Sequence, residues 1–282
     1  MKKYKKILSI ILLVVLIIVN VTPVYAATKT HVYASTEKEF YQYVNKFMKG
    51  NYKELIIHVP KDEFKIDEYK QGINTHNTVM DVLSPLHFEI MGQYDNGDYE
   101  YRLYYFLDDG QTKAKKLEKK ANQIIKKIIK LNMTDEQKIT AITTYMNKHC
   151  KYVSDEYCEY INCINNKKIS TLERMQKYSY LFSAYGVLCQ GKSTCDGYSR
   201  AFNLLARKAG IPSIQVINGG HAWNVYQIGN NYYEIDTTHK ETEGHLITGE
   251  PEFKEKDIYK DLLEKYVVLG TDKVKMKSYK KK

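Results

Sequence analysis

At 282 residues and a formal charge of +10, the chain is long enough for one large domain or two small ones with real cores, and it is basic without being extreme. No C-x-x-C pair, dense histidine cluster or acidic run with calcium-loop spacing is present, so neither a metal nor another cofactor is expected. The 26 tyrosines are spread along the whole chain, which reads as composition rather than as a carbohydrate-binding surface.

The N-terminus reads as an address. Lys2, Lys3, Lys5 and Lys6 precede an apolar run from Ile10 to Val19, and Val24-Tyr25-Ala26 supplies the small residues of a signal-peptidase site. Residues 1–26 are therefore expected to be a cleaved signal peptide. The wider apolar stretch from Ile7 to Val21 falls short of the ~20 residues of a spanning helix, so a membrane is engaged only through this segment if it stays uncleaved. A secreted or cell-surface location follows, with a formal charge of +6 once the four lysines are gone and with nucleic acid excluded as a partner. The lysine-rich tail at 273–282 would be drawn to an anionic cell envelope, or is a solvated terminus.

In chain order, Thr36-x-x-Glu39 opens a helix with Phe40, Val44, Phe47 and Met48 on one face, ending at Gly50. Leu55 to Val59 reads as a short strand and Asp98 to Leu107 as a tyrosine-rich one, giving a small α/β region over residues 27–108. The Asp108-Asp109-Gly110 turn leads into a helix with Ala114, Leu117, Ala121, Ile124 and Ile128 on one face, the start of a second region spanning 109–272. Thr134-x-x-Gln137 caps the next helix. Asp155 to Lys168, rich in Asn and Cys, reads as a loop, and Leu172, Met175, Tyr178 and Phe182 as one more helix.

Five cysteines are an odd number for an oxidising compartment. Cys150, Cys158, Cys163 and Cys189 can pair in three ways that leave Cys195 over, or all five can be reduced and packed. Cys195 stands out by position. Ser193-x-x-Asp196 reads as a capping box, and Tyr198, Ala201, Phe202, Leu205 and Ala209 follow at helical spacing until Gly210 and Pro212. A thiol in the first helical turn meets unpaired N–H groups and the positive end of the dipole, which favour thiolate over thiol.

A proton carrier is available downstream. His221-Ala222-Trp223-Asn224-Val225 alternates as a strand, Gly229-Asn230-Asn231 is a turn, and Tyr232 to Thr237 alternates back, so one hairpin holds His221 and Asp236. With a tight turn, His221 is expected opposite His239 or Lys240, so its contact with Asp236 calls for a bulge or a strand bend. Trp223 either shields that contact or packs in the core, and His239 and His245 read as bystanders.

These motifs resemble the transglutaminase-like superfamily. They run Gly191-Lys192-Ser193-Thr194-Cys195-Asp196-Gly197-Tyr198, then Ala209-Gly210-Ile211-Pro212, His221-Ala222-Trp223-Asn224 and Asp236-Thr237-Thr238. The resemblance covers about residues 135–245 and implies an α+β, papain-like core, in which a nucleophile helix packs on an antiparallel sheet. It further implies a Cys195, His221, Asp236 triad acting on protein or peptide carboxamides. The acyl group would pass to an amine, or to water in a peptidase or deamidase; a non-catalytic envelope module is the remaining reading. The oxyanion would be held by the Cys195 N–H and a second donor from Tyr185 or Gln190. Two departures stand out. His239 follows D-T-T where the family has Trp, and Cys189 stands where an aliphatic residue is common, which would permit an inhibitory bridge to Cys195.

Overall fold

The structure, a computed structural model, describes residues 30–60, 86–93, 98–105, 107–166, 169–218 and 220–247. The expected signal peptide and the lysine-rich tail lie outside the described residues. No helix among the described residues is long and apolar enough to cross a membrane.

A four-stranded sheet in the order β1-β2-β4-β3 comes first. It is built from β1 (Thr30–Tyr33), β2 (Glu54–Val59), β3 (Leu86–Gln93) and β4 (Tyr99–Tyr105). β1 pairs with β2 in parallel, and the other pairs are antiparallel. Helix α1 (Glu37–Met48) makes the parallel crossover. Its Thr36 hydroxyl accepts from Glu39 N–H as the sequence predicts, but Glu39 turns back to Ser35, not to Thr36. Phe40, Tyr43, Val44 and Phe47 are buried on its inner face, and Gly50 ends it with φ of 77°. β1 and β3 are additions to the two strands read from the sequence.

Helix α2 (Gly110–Ile128) buries Ala114, Leu117, Ala121 and Ile124, the predicted stripe. It is tied to α1 by Gln111 Nε2 donating to Gly50 O, and to the later helix that begins at Cys195 by Lys208 Nζ at 2.7 Å from Glu118 Oε1. Helix α3 (Asp135–His149) carries the full Thr134/Gln137 capping box. The buried residues of the first sheet, α2, α3 and the second sheet form one contiguous cluster, from Val32 to Ile235.

The segment read as a loop is a helix, α4 (Asp155–Asn165). Its Asn and Cys content masked an apolar spacing of Tyr157, Tyr160, Ile161 and Ile164. That face is used sparingly: none of the helix residues is fully buried, and Tyr160 and Cys163 pack only on a satellite cluster of Val153, Tyr178 and Leu181. Helix α5 (Thr171–Tyr178), capped by Ser170 and Glu173, follows, and a 3₁₀ turn at Ser179–Phe182 completes the predicted stripe.

A π-helical turn (Gly186–Gln190) then leads through a two-residue strand, β6 (Lys192–Ser193), to α6 (Cys195–Lys208). β6 pairs in parallel with β5 (Lys151–Tyr152), which follows α3. Helix α6 lies on an antiparallel sheet ordered β10-β9-β8-β7. Its strands are β7 (Ser213–Asn218), β8 (His221–Ile228), β9 (Asn231–Ile235) and β10 (His245–Leu246). This is the α+β, papain-like arrangement of a helix on an antiparallel sheet.

Candidate active site

Cys195 is the first residue of α6, as the apolar spacing behind it requires. The cap differs from expectation. Thr194 occupies the N-cap position without a side-chain cap bond, and Ser193 and Asp196 do not form a box. The Ser193 hydroxyl lies 2.8 Å from both Tyr180 O and Leu181 O, and Thr194 Oγ1 donates to Leu181 O. Asp196 Oδ1 instead receives Arg200 Nε at 2.9 Å and Gln215 Nε2 at 2.6 Å. The polar residues before Cys195 therefore fasten the incoming chain, leaving the first-turn N–H groups without a side-chain cap. Two glycines make this close packing feasible. Gly191 ends the π turn with φ of 75°, and a Cβ on Gly197 would run into the Ser193 hydroxyl.

The axial position of α6 on the sheet is fixed by amides. Buried Asn224 of β8 donates to Ser199 O at 3.0 Å, to Asn203 Oδ1 at 2.9 Å and to Ile214 O at 3.2 Å, while Ser213 donates to Asn203 Oδ1 at 2.7 Å. Gln215, opposite Asn224 in the β7–β8 ladder, reaches Asp196 and Ser199. Moving towards the start of α6 thus follows β7 forwards and β8 backwards. The thiol end of the helix and the His221 end of β8 therefore share one end of the sheet.

The hairpin register departs from the sequence expectation. The loop has two residues, Gly229 and Asn230, with Gly229 at φ of 58°, and Ile228 pairs with Asn231. Continued to His221, that register points to Thr238, so Asp236 is a diagonal neighbour on the same face and no bulge interrupts the ladder. β9 ends at Ile235, and Asp236 caps a 3₁₀ turn at Thr237–His239. Its Oδ1 accepts from Thr238 N at 2.9 Å and Thr238 Oγ1 at 2.6 Å, its own N–H donates to Glu241 Oε2 at 2.8 Å, and Oδ2 meets His221 Nε2 at 2.6 Å. Burial by itself would raise the Asp236 carboxyl, yet the hydrogen bonds from Thr238 and His221 outweigh it and hold it below the ordinary value. Asp236 is thus a carboxylate, so Nε2 of His221 is the donor and Nδ1 is left as the proton acceptor.

Trp223 and His239 both stack on the His221 ring, at centroid distances of 6.1 and 6.0 Å. His239 is no bystander: its Nδ1 is 3.3 Å from Asp236 Oδ2, the oxygen that His221 uses. His245 stands one step further out, 3.6 Å from Glu241.

Cys195, His221 and Asp236 all lie inside the stretch matched by a family model. Residues 122–237 match the transglutaminase-like superfamily. Over that stretch the chain is similar to the transglutaminase-like superfamily. Among solved structures, a crystal structure of a TGase is similar at 14% identity and a TM-score of 0.36, the likeness covering 80% of this chain and 63% of that one. The chain thus spans less than two thirds of that protein's length. None of the curated proteins compared with the chain matches it.

Within that stretch, Tyr152 is a polar group beside Cys195 that the sequence reading missed. Burial first, and then the neighbouring thiol, push the Tyr152 phenol above its ordinary value, so it is a neutral O–H at neutral pH. The β5–β6 pairing brings it there, by setting Tyr152 opposite Ser193, and its ring lies 6.2 Å from that of Tyr198. In the sequence, a lone Lys-Tyr pair after a helix gives no hint of a strand formed with residues forty positions later. Of the two donors named from the sequence, Tyr185 packs on the core with Lys116 Nζ 5.6 Å above its ring, and Gln190 is exposed at the end of the π turn.

All five cysteines are unbridged, including Cys189 and Cys195. Cys150 donates to Val187 O, and burial pushes its thiol up to about 12. Burial also raises the Cys189 thiol, with Lys116 and Lys120 opposing. Cys158 is exposed.

Proposed function

We propose that the protein is a secreted thiol acyltransferase of the transglutaminase type, acting on protein or peptide carboxamides through Cys195, His221 and Asp236. The observation that carries the reading is the His221–Asp236 hydrogen bond of 2.6 Å at the end of the sheet where α6 begins with Cys195. In the first step the Cys195 sulfur attacks the carboxamide carbon, and its proton passes to His221 Nδ1. The oxyanion is held by the Cys195 N–H. His221 then protonates the departing ammonia, leaving a thioester, and Asp236 holds the imidazolium. A primary amine attacks the thioester, gives its proton to Nδ1 and leaves as the new amide, restoring the thiol.

Tyr152 supplies the second oxyanion donor in this scheme. It lies beside Cys195, and at 42% exposure its side chain has room to turn and donate to the oxyanion. Export rests on the first 26 residues, and the lysines at 273–282 would hold the protein near an anionic envelope.

The test is incubation with a glutamine-bearing protein and a labelled primary amine. Incorporation by the wild type and none by Cys195→Ala is the expected result. Ammonia release or peptide cleavage without incorporation would move the assignment to a deamidase or peptidase of the same core. No reaction of either kind, with iodoacetamide labelling Cys195 no faster than Cys150, would sink the enzymatic reading.

A further inference from the structure

Far from Cys195 in the sequence, the first sheet gathers three metal-ligating side chains. His58 of β2 sits opposite Glu100 of β4 and opposite Tyr33 of β1, and His31 is two residues before Tyr33, on the same face of the sheet. His31 Nδ1 lies 2.9 Å from His58 Nε2, and His58 Nε2 lies 3.9 Å from Glu100 Oε2. The three ligating atoms are all within 4.8 Å of one another. His58 and Glu100 are only 2% and 5% exposed, whereas His31, on the edge strand, is open to solvent.

We propose that His31, His58 and Glu100 form a site for one divalent transition-metal ion of the zinc type, joining β1, β2 and β4. Two imidazoles and a carboxylate are a donor set for zinc and its neighbours, whereas calcium and magnesium take oxygen ligands. Zinc–nitrogen bonds of about 2.0–2.1 Å at tetrahedral angles put ligand atoms about 3.3 Å apart. The imidazole nitrogens need only part slightly, and the carboxylate must close by about half an ångström on His58 and by up to about 1.5 Å on His31, adjustments within the reach of side-chain torsions. The ion would replace the single proton that now lies between the two ring nitrogens. Three protein ligands leave a fourth position for water or an external donor. The consequence is mechanical as well: β1 is an edge strand paired only with β2, and the ion would fasten it across to β4.

The test uses the untagged chain with its thiols alkylated, stripped by chelator and titrated with zinc chloride by calorimetry and thermal melting. One zinc per chain at micromolar Kd or tighter is expected, with Tm raised by about 5 °C or more at a hundredfold excess over Kd. His31→Ala, on the edge strand, should keep the metal-free Tm nearly unchanged and weaken binding at least about a hundredfold. Glu100→Gln should weaken it too, and His221→Ala should leave it intact. Absence of both heat and Tm shift up to about 100 µM zinc in the wild type would overturn the proposal. So would undiminished binding by His31→Ala.

Discussion

At the scale of single residues, Asp236 divides its carboxylate between holding the turn at Thr238 and orienting His221. Asp236→Asn keeps the shape but removes the acceptor that fixes the tautomer, so kcat is expected to fall by about 10³–10⁴-fold in the amine-incorporation assay. The same substitution has a pH signature. Because the folded carboxyl is held below its ordinary value, its stabilisation is complete above the unfolded value of about 3.9 and is lost as pH falls through the lower folded value. Urea midpoints of wild type and Asp236→Asn should thus differ at pH 7 and converge once the pH has fallen below the ordinary carboxylate range. Tyr152→Phe removes the phenolic oxygen at Cys195, and as an oxyanion donor its loss should lower kcat by about 10²–10³-fold with little change in KM. A rise in kcat/KM would instead mark Tyr152 as a plug over the thiol. Among the cysteines, Cys195 should react fastest with iodoacetamide, at a rate that falls in His221→Ala. Cys158 should react at an ordinary rate in both proteins, and Cys150, whose thiol is buried and raised to about 12, should be slowest at pH 8.

Between elements, the alignment of α6 on its sheet rests on few groups. Asn224 makes two bonds that set the helix start level with His221 and a third to β7, so Asn224→Ala should cost about 1–3 kcal/mol in a urea melt. It should also lower kcat, because a shift along the helix axis moves the thiol relative to the imidazole. Gly197→Ala is expected to destabilise by about 1–3 kcal/mol, since its methyl group would displace the Ser193 hydroxyl that fastens the chain before Cys195. Helix α6 was readable from its apolar spacing because that face is almost wholly buried. Helix α4 was not, because it packs on one small satellite cluster and its sequence carries little more than its tyrosines to show a face.

Across the whole molecule, one core runs from β1 to β9, with α2 between the first sheet and α6. Leu117 is fully buried in that helix, and Leu117→Ala should cost about 2–5 kcal/mol. Tryptophan fluorescence from Trp223, in the second sheet, and circular dichroism should report the same shifted transition, as a shared core requires. The sequence by itself determined the helix that begins at Cys195, the hairpin that follows and the order of Cys, His and Asp, since each depends on local periodicity, caps and turns. Tertiary structure decided which of these groups meet. The diagonal register that joins Asp236 to His221, the short parallel pairing that carries Tyr152 to the thiol, and the strand order that gathers His31, His58 and Glu100 are all contacts between distant segments. Sequence spacing constrains a residue's neighbours along its own element, whereas partners on other strands are fixed by how the buried faces pack. For that reason the place of Cys195 at a helix start was apparent from the chain alone, and the groups arrayed around it emerged only with the fold.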